Sequence, residues 1–224
     1  MASVAIDGPA GAGKSTIAKL VAKKLGAVYV DTGAMYRAIA VYFLRNRLDP
    51  ENPEQVAQAC QKLEVTISYE NGAQQVWLNG ENVTGELRTE AVGNMASKSS
   101  AKQPVRDKLL QLQRDMAVRQ NVVMDGRDIG TNVLPDAEVK IFLTASSAER
   151  ARRRYEELVE KGETCDIHQI EADIIKRDEQ DMNRAIAPLK QAEDAYYLDS
   201  SELTIDEVVD CILKQCKEKR IWKS

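Results

Sequence analysis

Two hydrophobic rhythms alternate along the chain. Short, nearly unbroken apolar runs lie at residues 3–7, 27–30, 121–124, 139–143 and 195–198. Runs this short, apolar at consecutive positions, predict strands buried on both faces. Elsewhere apolar residues recur every three or four positions, as Ile17, Leu20, Val21 and Leu25 do within 15–25. That spacing predicts further helices over 34–47, 54–63, 104–119 and 170–181, one following Ser146 or Ser147, and a last one ending near Lys219. End signals agree: Gly26 as a C-cap, Pro104 in a first helical turn, Thr204 with Glu207 as a capping box. The alternation predicts an α/β fold, a five-stranded doubly wound parallel sheet with right-handed crossovers.

One stretch breaks the rhythm. Residues 65–69 alternate apolar and polar, Asn71-Gly72 is a hairpin signal, and 75–78 return. Asn79-Gly80 is a second such signal, with Val83 and Thr84 as a third short strand. A polar helical stretch follows over 86–102. Residues 63–103 therefore read as an insert, partly antiparallel β, in a core made of 1–62 and 104–224.

Charge and composition narrow the partners. The 224 residues carry 31 Lys and Arg against 35 Asp and Glu, a net charge of −4. That balance disfavours a binder of nucleic-acid polymer, which needs a broad basic face. No apolar run approaches the roughly 20 residues of a membrane span, and no charged-then-apolar leader precedes the first strand. A cytoplasmic protein with no membrane partner is expected, and a monomer. Cys60, Cys165, Cys211 and Cys216 lack metal-ligand or disulfide spacing and read as reduced packing residues. His168, the sole histidine, is expected at the surface.

The candidate chemistry begins where the first strand ends. Gly8, Pro9, Ala10, Gly11, Ala12, Gly13, Lys14 and Ser15 fit G-x-x-x-x-G-K-[ST], with Thr16 next. The pattern sits between a strand and a helix, the context a P-loop requires. Its backbone N–H groups converge on phosphate, backed by the helix dipole. Lys14 would reach the β- and γ-phosphates and the Ser15 hydroxyl would help hold Mg²⁺. A plain glycine-rich turn is the alternative, and eight matching positions make it the poorer one. The loop implies a phosphate-bound nucleotide without naming the reaction. The N-K-x-D motif of base-reading GTPases is absent.

Other charged residues collect at predicted strand ends, where open α/β sheets bind ligands. Thr32-Gly33 suits a turn, with Tyr36 and Arg37 following; they suit a phosphorylated planar substrate, or are a half-buried tyrosine and a solvated arginine. Asp125 directly follows a buried strand, a Walker B-like position able to hold Mg²⁺ through water, and Arg127 and Asp128 share its turn. A charge-rich turn is the bland alternative. Arg150, Arg152, Arg153 and Arg154 cannot all face one way on a helix. Arg177, Asp181 and Arg184 share a helical face. This helical pair, about 150–188, has the makings of an arginine-bearing lid over phosphates.

Taken together, the chain resembles the bacterial cytidylate kinases, of the nucleoside-monophosphate kinase group. The resemblance rests on I-D-G-P-A-G-A-G-K-S-T at 6–16, D-T-G-A-M-Y-R at 31–37, G-E-L-R-T at 85–89, D-G-R-D-I-G-T at 125–131, and R-D-x-x-D-x-x-R with A-P-L at 177–189. It implies transfer of the γ-phosphoryl of ATP to CMP or dCMP, by a core, a monophosphate-binding insert and a lid. Carried over by motif, Thr32, Tyr36 and Arg37 would contact the monophosphate, Ser97 the cytosine and Arg106 the α-phosphate. Arg127 would hold the phosphate, Asp128 would bind on the cytidine side and Asp181 would reach the sugar hydroxyls. Arg177 and Arg184 would meet the phosphates.

Overall fold

The computed structural model describes residues 1–219. In chain order the elements are β1 (Ser3–Asp7), α1 (Lys14–Leu25), β2 (Val28–Asp31), α2 (Thr32–Arg45), α3 (Pro53–Lys62), β3 (Val65–Glu70), β4 (Ala73–Leu78), β5 (Glu81–Asn82), α4 (Glu90–Ser99), α5 (Gln103–Arg119), β6 (Val122–Gly126), β7 (Val139–Thr144), α6 (Ser147–Glu160), α7 (Ile167–Asn183), β8 (Tyr196–Asp199) and α8 (Ile205–Glu218). The chain forms two compact units, Met1–Tyr29 with Gln120–Ser224, and Val30–Arg119. The second is wider at both ends than the 63–103 stretch set apart by its pattern, because α2 packs on the hairpin and on α4, and α5 packs on α2 and α3.

The first unit carries the parallel sheet, in the order β2-β6-β1-β7-β8. Ser3 pairs with Val122 and Asp7 with Gly126, while Asp7 also pairs with Phe142. This register brings the carboxyl ends of β1, β6 and β7 level, so the segments that follow them emerge side by side. One sheet face presents Val4, Ile6, Val123, Ile141, Leu143 and Leu198 to Ile17 and Val21 of α1 and to Val208 and Ile212 of α8. Each fully buried side chain of this size contributes about 1.5–3 kcal/mol. Gly26 closes α1 in a left-handed conformation, and Thr204 with Glu207 forms the expected capping box on α8.

The second unit packs its own core, with Met35, Ile39 and Phe43 of α2, Leu63, and Leu109 of α5 all fully buried. β3 and β4 pair antiparallel from Val65↔Leu78 to Glu70↔Ala73. Asn71 and Gly72 have φ of 52° and 77°, and Asn79 and Gly80 have 51° and 81°. Two left-handed residues in succession give the turn whose twist matches the flanking strands.

Several boundaries differ from expectation. α7 starts three residues early, at Ile167, and ends at Asn183, so Arg184 does not share its helical face with Arg177 and Asp181 but follows the helix in extended backbone (φ −64°, ψ 140°). Thr32 and Gly33 form the first turn of α2 instead of a free turn, because Asp31 caps the helix by accepting the Ala34 N–H. The third hairpin strand is Glu81–Asn82; the Thr84 hydroxyl instead accepts the Val76 N–H, ending the ladder there. The helical stretch after the hairpin is a short 3₁₀ turn, Thr84–Glu86, then α4, which starts at a Thr89 cap. Cysteines 60, 165, 211 and 216 are unpaired and His168 is exposed, as expected.

Candidate active site

The P-loop of the first unit is shaped by its neighbours. Gly8 has φ of 151°, and a Cβ there would lie 1.9 Å from the Leu143 carbonyl oxygen of β7. No side chain fits against that backbone. Gly13, left-handed with φ of 81°, occupies the N-cap of α1 and supplies no capping side chain. The first N–H groups of the helix thus lack a side-chain cap, the arrangement that accepts an anion. Lys14 is buried, and its Nζ donates to the Pro9 carbonyl at 2.6 Å, bending the side chain back over the loop. Burial, then the charge of Arg127, pushes its pKa well below the ordinary lysine value, against the pull of Asp125, Asp7 and Asp181.

Three carboxylates stand around this cradle. Asp125, on β6, accepts the Ser15 hydroxyl at 3.0 Å and the Tyr29 hydroxyl at 2.9 Å. Two hard oxygen donors, Ser15 Oγ and the Asp125 carboxylate, therefore lie side by side, a fit for Mg²⁺ that also takes phosphate oxygens and water. Among the described residues no group of three or more His, Cys, Asp or Glu is arranged to hold a metal ion. Asp7, at the end of β1, accepts the backbone N–H groups of Ile129 and Gly130, each at 2.7 Å. Its pKa is pushed up to about 6, chiefly by burial; those two N–H groups and Lys14 oppose the rise, and Asp128 adds to it. Asp128 is buried and accepts the Asn132 side-chain amide at 3.1 Å.

The arginines of the sequence motifs sort themselves. Arg127 Nε donates to Asp181 Oδ2 at 2.8 Å. Arg184 lies 3.8 Å from Asp181 Oδ1 and 3.6 Å from Asp128 Oδ1, and its Nε donates to the Ala187 carbonyl at 2.6 Å. Burial alone would raise the Asp181 carboxyl, but Arg127, by charge and hydrogen bond, then Arg184 and Arg177, holds it below the ordinary range. Thus Arg127, Asp128, Arg177, Asp181 and Arg184 form one charged group. Arg150 is buried, paired with Asp178 at 2.7 Å, and donates to the Ala10 carbonyl of the P-loop at 3.0 Å. Arg153 reaches the Ser200 carbonyl at 2.8 Å. Arg152 and Arg154 pair with Glu149, Glu156 and Glu157 on the solvated face. Of the four successive candidates, two turn inward.

In the second unit the candidates gather at the start of α2. Asp31 Oδ1 caps Ala34, its Oδ2 accepts from Arg88 at 3.1 Å, and its backbone N–H and carbonyl both pair with the Gln74 side chain, at 2.9 and 3.0 Å. Thr32 is buried in the first turn, and Tyr36 and Arg37 are half-buried one turn on. The Arg106 guanidinium lies 5.5 Å from the Tyr36 ring centroid and donates to the Ser100 carbonyl at 3.3 Å. Ser97, on α4, is half-buried, and its carbonyl accepts the Ser100 hydroxyl at 3.2 Å.

The comparisons with known proteins bear on this geometry. The sequence model of the family described as cytidylate kinase matches residues 4–218. The protein named cytidylate kinase in Geobacter sp. strain M21 is 49% identical over 216 residues, covering 96% of this chain and 93% of its own. Its namesake in Shouchella clausii is 50% identical, covering 96% of each chain. The chain belongs to the cytidylate kinase family. Solved structures repeat the fold at low identity: an uncharacterized protein from Eubacterium ventriosum (TM-score 0.55, 12% identity, covering 97% of this chain and 99% of that one) and TT1252 from Thermus thermophilus (TM-score 0.51, 15% identity, covering 97% of each).

Within this family member, the pattern reading passed over four residues tied into the candidate site. Asp7 follows a buried strand just as Asp125 does, so the same signal marks it. Asp31 precedes an apolar-periodic helix, the ordinary place for a cap. Tyr29 and Gln74 carry no local signal; only the tertiary contacts place them.

Proposed function

We propose that the protein transfers the γ-phosphoryl of ATP to CMP or dCMP, giving ADP and CDP or dCDP. The observation that carries this is the conjunction, in one unit, of a P-loop with uncapped helix N–H groups and the Arg127–Asp181–Arg184–Asp128 group, in a chain of the cytidylate kinase family. The acceptor's phosphate oxygen attacks the γ-phosphorus in line; that bond forms as the bond to the β–γ bridging oxygen breaks, and ADP leaves. A phosphate oxygen is already ionised near neutrality, so no side chain has to take a proton.

The protein's part is positioning and charge stabilisation. The P-loop N–H groups and Lys14 hold the β- and γ-phosphates, and Arg127, Arg177 and Arg184 face the charge spread over the transferring group. Thr32, Tyr36, Arg37, Ser97, Arg106 and Arg127 hold the monophosphate, with Asp128 and Asp181 on its nucleoside side. Ser15 and Asp125 hold Mg²⁺, which supplies charge neutralisation of the phosphates when bound. Residues of about 150–188 act as the lid that excludes water, and 63–103 as the acceptor-binding insert. The same reading makes the protein a cytoplasmic monomer acting on free nucleotides. The test is ADP release from ATP and Mg²⁺ with CMP, dCMP, UMP, AMP or GMP as acceptor. Turnover with the cytidine nucleotides far above the others is expected; turnover with none of them would overturn the proposal.

A further inference from the structure

Asp7 occupies the last position of β1, immediately ahead of the P-loop, and is 5% exposed. Its partners, the N–H groups of Ile129 and Gly130, open a five-residue π-helical turn, Ile129–Val133. The first N–H groups of a helical turn have no partner within it. Here one carboxylate takes two of them. At the same end, the Asp128 carbonyl accepts the N–H groups of Asn132 at 2.9 Å and Val133 at 3.2 Å. The Asn132 side chain in turn holds Asp128 Oδ2. The backbone that leaves β6 with Arg127 and Asp128 is therefore pinned through this turn, and Asp7 is its link to β1.

The residue type follows from the chemistry. Two converging N–H groups need two acceptors and no donor. Only an ionised carboxylate offers that; an amide would turn its own NH₂ toward one of the two donors. Asp128 and Lys14 face Asp7, and the Lys140 side chain packs beside it over Gly130. Keeping a charge here runs against burial, so the site retains an electrostatically costly group where a neutral one would fold more easily.

We infer that Asp7 is a positioning residue for the acceptor side of the reaction: through Ile129 and Gly130 it sets the turn that presents Arg127 and Asp128, and ties that turn to the P-loop. This rests on the reading of Arg127 and Asp128 as groups that serve the cytidine monophosphate. The first measurement is therefore wild-type turnover of CMP. Its absence would sink that reading, and amide exchange alone would then decide the clamp.

Asp7→Ala and Asp7→Asn are compared with wild type in steady-state kinetics, varying CMP and ATP separately. Two charge-assisted hydrogen bonds are at stake, so KM for CMP should rise about 10- to 100-fold in Asp7→Ala, with a smaller rise in Asp7→Asn. KM for ATP should stay within about threefold. Equal rises in both KM values would overturn the inference. So would a fall in kcat with KM for CMP unchanged, or unchanged kinetics in both variants. Should neither variant fold, hydrogen exchange on the wild type still decides. Ile129 and Gly130 amides are expected to be strongly protected; exchange as fast as in exposed loops would overturn the clamp.

Discussion

The two units hold their charged side chains by opposite means. In the P-loop unit Asp7, Lys14, Asp125, Asp128, Arg150, Asp178 and Asp181 are all buried, and each has a partner of fixed geometry. At the start of α2 the anchor, Asp31, is buried, but the groups around it are open: Tyr36 and Arg37 are half-buried, and the Arg88 side chain is 63% exposed. Buried charges act through low dielectric and relax little, whereas exposed ones are screened by water and salt. In the first region the charges are locked among buried partners; in the second Arg37 and Arg88 stay within reach of water, with Arg106 the buried cation beside Tyr36. Phosphoryl transfer asks for that division, since charge stabilisation must be preorganised while an acceptor must enter and leave.

The contrast can be broken experimentally, starting with its largest element. Lys14→Ala should cost roughly 3–4 kcal/mol of transition-state stabilisation, the scale of losing one preorganised electrostatic contact. Near-normal kcat/KM in that variant would mean the cradle is not where the charge develops. Next, Asp178→Ala leaves Arg150 buried without its carboxylate and should destabilise the fold by about 3 kcal/mol or more. Arg88→Ala, removing the exposed half of an ion pair, should stay within about 1 kcal/mol. Urea midpoints that move equally would erase the distinction between the regions.

The titration of Asp7 sharpens it further. Its folded pKa of about 6 lies above the ordinary 3.8, so the folded state binds this proton more readily than the unfolded one. Stability therefore falls as pH rises from about 4 to 6, and the ionised group costs roughly 3 kcal/mol above that. Activity should move the other way, declining as pH drops through about 6 and Asp7 loses an acceptor. Comparing unfolding free energies of wild type and Asp7→Ala from pH 4 to 7 checks the first sign; a pH profile of kcat/KM for CMP checks the second. A smaller effect than those at Lys14 and Asp178 is expected at Gln74. Gln74→Ala removes two hydrogen bonds to the Asp31 backbone and should weaken CMP binding by about 1–2 kcal/mol, leaving ATP binding alone. Equal weakening of both nucleotides would show that the hairpin does not tune the α2 end by itself.

Much of this was legible in the residues because it is local. Ser15 and Asp125 follow rules of position, one in a helix's first turn after a glycine loop, the other at the end of a buried strand, and in the fold they meet at 3.0 Å. The arginine run was legible only as a constraint. Helical geometry says that Arg150 to Arg154 cannot share a face, but not that Arg150 would find Asp178 and the Ala10 carbonyl while Arg152 and Arg154 found glutamates. The turn expected at Thr32-Gly33 failed for a local reason outweighed by another: Asp31 was available as a cap.

What the sequence determined by itself is everything encoded within a few residues: the strand–helix alternation, the P-loop, the paired Asn-Gly turns and the family these motifs mark. Such features depend on φ/ψ preference, capping and periodicity, which act over one or two turns of chain. What only the tertiary structure decided is which distant groups compensate one another. Asp7 meets the N–H groups of Ile129 and Gly130 across more than half the chain, and Gln74 reaches back to Asp31. A buried charge or an open backbone N–H takes whatever partner the packing brings near, and neither partner carries a local mark of the other.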